Sequence, residues 1–114
     1  MKRRNGSYPA EEWAHSLDKK GRALFEVAAK VTETNFLSGR PGDRAEKIEA
    51  SSEGLWELKV TKPGSSPPHH RMLFVREGNV LWATHGFTKK SNKLPQSEIA
   101  TGDRIAAEWK EGAK

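Results

Sequence analysis

The side chains of this 114-residue chain that could do chemistry gather in one stretch. Between Leu55 and Pro95 stand Lys59, Lys62, Arg71, Arg76, Lys89, Lys90 and Lys93 against only Glu57 and Glu77, a local excess equal to the whole net charge of +5. A surplus confined to one segment suits a polyanion, and a solvated basic face accounts for it equally well. Arg71 carries a planar fork that can hold two phosphate oxygens at once. His85 carries an imidazole whose intrinsic pKa, about 6.5, suits proton transfer at neutral pH. Lys59 shares a strand face with Glu57 two residues earlier, so it is a charge partner, a phosphate ligand or both. His69 and His70 make a poor metal site, because extended neighbours point apart and no third ligand is apparent. They read as residues of a proline-rich loop, and His15, beside Trp13, reads as structural.

The elements that must position these groups follow from hydrophobic spacing. From Pro9 to about Asn35, Trp13, Leu17, Leu24, Ala28 and Val31 recur at helical intervals with charges between them. Pro9 suits a first helical position, Glu11 and Glu12 suit the positive end of the helix dipole, and Gly21 is a candidate divider between two helices. Ser38 to Gly42 breaks the pattern, and Asp43 to Ile48 is expected to add one helical turn. After Gly54 the character changes: Leu55 to Thr61 reads as a strand, Pro63 to Pro68 as a loop, and Arg71 to Arg76 as the next strand. Glu77 and Gly78 turn into Asn79 to Phe87, which makes a β-hairpin. Apolar residues on both faces of this hairpin place it centrally in the sheet, with helices covering one face. Thr88 to Leu94 is a polar, basic loop. Pro95 then starts a helix whose stripe is Ile99, Gly102, Ile105, Ala106 and Trp109, ending near Gly112. The order is α+β with an antiparallel sheet.

Bulk properties bound the rest. The length suits a single domain over residues 1–114. With no cysteine there is neither disulfide framework nor thiolate metal site. The positive start Met1 to Arg4 is not followed by the apolar run of a signal peptide, and no stretch approaches the roughly 20 apolar residues of a membrane span. A soluble cytoplasmic protein is the expectation.

Three segments together resemble the phage-type HigB branch of the RelE toxin superfamily. They are Gly54-Leu55-Trp56-Glu57-Leu58-Lys59, Arg71-Met72-Leu73-Phe74-Val75, and His85-Gly86-Phe87-Thr88-Lys89-Lys90 followed by Pro95 and a helix. The resemblance covers about the last sixty residues. It implies a RelE-like fold, with N-terminal helices packed on a twisted antiparallel sheet, a C-terminal helix and a basic open sheet face. It also implies an activity: metal-independent cleavage of mRNA in the decoding site of the translating ribosome. The implied partners are the ribosome, mRNA and a HigA-like helix-turn-helix antitoxin, through which alone the toxin would reach operator DNA; no cofactor and no membrane are implied.

Such cleavage lets the ribose 2′-hydroxyl attack the adjacent phosphate, which calls for a base, an acid and positive charge at the crowded phosphorus. The resemblance puts Arg71 at the family's arginine position as the phosphate clamp, with a strand-end arginine paired to Glu57 as the structural alternative. It makes His85, Lys89 and Lys59 the other catalytic candidates, His85 being otherwise a hydrogen-bonded structural residue. Lys90, Lys93 and Lys62 are RNA-binding candidates, and Phe87 is the aromatic placed to stack on a base. Trp82 and Trp109 read as core. Relatives that use a tyrosine near the C-terminal helix have no counterpart here, since the only tyrosine is Tyr8, and the general base stays unassigned. The rival function is a basic α+β module that binds nucleic acid or a partner protein without cutting. An enzyme for a small phosphorylated substrate is disfavoured by the lack of a glycine-rich phosphate loop.

Overall fold

The structure, a computed structural model, describes residues 1–40, 42–62, 64–78, 80–91 and 93–113. Pro41, Pro63, Asn79 and Asn92, which belong to the expected breaker, loop, hairpin and basic loop, lie outside the described residues. In chain order the elements are α1 (Pro9–Ser16), α2 (Lys19–Leu37), β1 (Ala45–Lys47), β2 (Leu55–Lys59), β3 (His69–Glu77), β4 (Val80–Lys89) and α3 (Gln96–Glu108), with a π-helical turn over Trp109–Ala113. The strands form one antiparallel sheet in the order β1-β2-β3-β4. This is the expected α+β architecture with a C-terminal helix. None of the described helices is long and apolar enough to cross a membrane.

Several boundaries differ from the expectation, each for a local reason. The helical break falls at Leu17, whose backbone is extended, and Asp18 then caps α2 by accepting a hydrogen bond from the Gly21 amide at 2.7 Å. Gly21 is therefore inside the first turn of α2 and does not divide the helices. Restarting the helix there rotates the stripe: Ala28, Thr32 and Phe36 face the sheet, while Val31 is exposed. Residues 45–47 form a strand and not a helical turn. Pairing of Ala45 with Leu58 and Lys47 with Trp56 overrides the helical preference of alanine, glutamate and lysine. The hairpin also differs in place, for β3 is central and β4 is the last strand of the sheet.

Helices cover both faces. On one, Ala10, Ala28 and Phe36 of α1 and α2 pack with Leu58, Met72 and Phe74 of the sheet. On the other, Ile105 and Ala106 of α3 and the adjoining Trp109 pack with Leu55, Leu73, Val75 and Phe87. Each such large side chain, fully buried, contributes about 1.5–3 kcal/mol. Gly102 lets α3 approach closely, since a Cβ there would lie 2.8 Å from Leu55 Cδ1. Gly86 does the same for α1: an added Cβ would lie 2.0 Å from the Trp13 ring. Glycine between His85 and Phe87 is thus fixed by the helix lying across it.

Candidate functional site

One extra residue in β4 decides which side chains meet. The ladder pairs Leu73 with His85 but Phe74 with Ala83, so Thr84 has no opposite number. It is a β-bulge. Trp82 lies tilted against Trp109 on the α3 face, and strict alternation from there would send Gly86 and Thr88 to that face. After the bulge His85, Phe87 and Lys89 point there instead, with Arg71 directly across from Phe87 and Lys59 across from Arg71. The four catalytic candidates Arg71, His85, Lys89 and Lys59 therefore stand on one face of the sheet.

Arg71 and Lys89 are both buried, at 4% and 7% exposure. Each reaches the same carboxylate oxygen: Lys89 Nζ donates to Glu57 Oε2 at 3.3 Å, and Arg71 Nε lies 3.5 Å from it. The second contact lacks hydrogen-bond alignment, leaving Nε without a hydrogen-bond partner among the described residues. Arg71 Nη1 donates to the carbonyls of His70 and Thr61 at 2.9 and 3.4 Å, which hold the guanidinium in place. Burial lowers its pKa; Glu57 opposes the shift and Arg44 adds to it. It stays protonated at any physiological pH.

The expected loop position of Lys89 is corrected by this geometry. β4 runs two residues beyond Phe87 because its ladder with β3 continues to the pair His69 and Lys89. Lys89 turns inward and Lys90 outward, so the adjacent lysines have different surroundings. The same pairing corrects the reading of His69 and His70 as loop residues. His70 Nδ1 lies 2.9 Å from Thr88 Oγ1 on the α1 side, whereas His69 is buried on the Arg71 side.

His85 sits between two partners. Thr84 Oγ1 donates to the Leu73 carbonyl at 3.2 Å and lies 3.1 Å from His85 Nδ1. His85 Nε2 lies 3.4 Å from Glu98 Oε1 at the start of α3. Desolvation pulls the His85 pKa below its ordinary value. Glu98 works in the opposite direction and Arg3 adds a smaller lowering effect.

The remaining candidates divide. Lys59 is partly buried and pairs with Glu46 at 3.1 Å. Lys62, Lys90 and Lys93 are exposed. Phe87 is in the core, at 8% exposure and tilted against His85 with ring centres 5.7 Å apart, so it is not an exposed stacking platform. Trp109 is buried as expected, while Trp82 is 38% exposed. Arg76 belongs to the opposite face, over the Phe36 ring, so one cation of the basic segment is absent from the cluster. Sequence reading missed the shared role of Glu57, the Glu98 contact and His69. Stepping back two residues from Arg71 along an extended chain would have found His69. Among the described residues no three His, Asp or Glu side chains come together to hold a metal ion. A cleft of about 400 Å³ is lined by residues 46–50, Glu57 and Leu94, and it meets this cluster at Glu57.

Residues 12–106 match the family described as phage derived protein Gp49-like. The chain belongs to that family. The family is toxin-like and related to RelE and HigB. Its matched span runs from α1 to α3 and contains the bulge and every candidate above. No curated protein matches the chain.

Proposed function

We propose that this Gp49-like protein is the toxin of a type II toxin–antitoxin pair, a RelE-like, ribosome-dependent endoribonuclease that stops translation by cutting mRNA. The carrying observation is the placement, through the Thr84 bulge, of buried Arg71, Lys89 and His85 on one sheet face. In the reaction His85 Nε2 takes the proton of the ribose 2′-hydroxyl. The 2′-oxygen then forms its bond to phosphorus, the bond from phosphorus to the 5′-oxygen breaks, and the Lys89 ammonium protonates that leaving oxygen. A 2′,3′-cyclic phosphate and a 5′-hydroxyl result. Arg71 neutralises the charge gathering on the phosphate. Lys62, Lys90 and Lys93, which are exposed, supply the salt-sensitive attraction to RNA.

The partners of this reading are the ribosome with its mRNA and a HigA-like helix-turn-helix antitoxin, through which the toxin reaches operator DNA. The rival, a basic module that binds without cutting, draws support from the burial of the same three side chains. Purified protein mixed with ribosomes carrying a defined mRNA separates the two. Cuts within codons at the decoding site are expected; intact message at protein concentrations saturating the ribosome would leave only the binding module.

A further inference from the structure

His69 is buried on the same sheet face as Arg71 and Lys89, and it has no assigned task. It is 5% exposed, stands opposite Lys89 on the ladder and lies two residues before Arg71 on the same face. Three buried side-chain nitrogen or oxygen atoms have no hydrogen-bond partner among the described residues, and two of them are His69 Nδ1 and Arg71 Nε. A buried polar atom left unpaired costs about 1–3 kcal/mol. Two such atoms on one strand face, beside a buried lysine, describe a polar site built ahead of its ligand.

We infer that His69 is a further RNA-contacting residue of this site, donating a hydrogen bond from Nδ1 to a non-bridging oxygen of the phosphate held by Arg71 and Lys89. The inference rests on the proposed nuclease reading for its ligand and on the unpaired nitrogen for its residue. The cleft lined by residues 46–50 and Leu94 reaches Glu57, the carboxylate bound to Arg71 and Lys89. Where Glu57 holds two cations of the site at rest, the phosphate takes over their coordination and adds the His69 contact.

A structural histidine and an RNA-contacting one respond differently to substitution. His69→Phe keeps the ring and removes the hydrogen bond; His69→Asn restores an N–H close to the Nδ1 position. On ribosome-bound mRNA, His69→Phe is expected to lose roughly ten- to a hundredfold in single-turnover cleavage, the range of about 1.4–2.7 kcal/mol, with His69→Asn recovering part of it. Melting temperature is expected to hold or rise in His69→Phe, because no hydrogen bond in the fold is lost. Full activity in His69→Phe would overturn the inference, as would equal loss of activity and stability. A second readout is independent of cleavage: side-chain ¹⁵N NMR during titration with a short RNA carrying a 2′-deoxy residue at the cut site. The His69 signal is expected to shift while that of exposed His15 stays in place. An unmoved His69 signal with RNA bound would overturn the contact. If wild type leaves ribosomal mRNA intact yet the His69 signal shifts, the nuclease reading falls and the phosphate contact stands.

Discussion

The two faces of the sheet are built by opposite rules. Beneath α1 and α2 the inward positions Leu58, Met72 and Phe74 meet Ala28 and Phe36, with Trp56 and Phe74 stacked at 6.3 Å between ring centres. Beneath α3 only half the face is like that. Leu55, Leu73 and Val75 pack on Ile105 and Trp109, and then, farther along the same strands, the buried residues become Glu57, Arg71, His69 and Lys89. Desolvating charges costs several kcal/mol per ion, and a well-packed apolar replacement is often as stable or more so. A fold that needed only stability had a better option at these positions. The difference is what the proposed function uses: the charged half would meet the ligand, and the apolar face would support it.

The comparison can be broken from either side. Phe74→Ala, on the apolar face, should have the largest effect on folding, a loss of about 3–5 kcal/mol, read as a lowered denaturation midpoint. Retention of wild-type stability would mean that this face is not the support. A smaller effect is expected from Glu98→Gln, which removes the charge that raises the His85 pKa against desolvation. In the wild type the folded-state pKa of His85 is depressed, so its contribution to stability is complete above the ordinary histidine range and is lost as pH falls through the folded value. The acid limb of the cleavage profile should follow the same titration, with activity rising as His85 loses its proton. Glu98→Gln should move that limb to lower pH. A limb that stays in place would assign the titration to another group.

Much of this arrangement was legible in the sequence, because the long elements announce themselves by period. The α3 stripe of Ile99, Gly102, Ile105, Ala106 and Trp109 and the hairpin of β3 and β4 follow from spacing alone. The site itself was only partly legible. Arg71 and Lys59 share a face by pairing across regular strands, but His85 and Lys89 join them through a bulge at Thr84, a one-residue insertion that no two-residue period reveals. β1 escaped because three residues of alanine, glutamate and lysine show no strand pattern of their own and are ordered by their neighbour. Val31 was placed inward by a stripe running unbroken from Leu17, whereas the Asp18 cap restarts the helix. In each case a tertiary or capping contact reset a local period.

The central claim, that the buried charged half of the α3 face grips and cuts an RNA phosphate, is tested most directly by Arg71→Met, which keeps length and apolar packing while removing the guanidinium. Cleavage of ribosome-bound mRNA should fall by about 10²–10³, the range for removing one positioned donor to developing charge, with the folded state retained by circular dichroism. Undiminished cleavage by the folded variant would contradict the account.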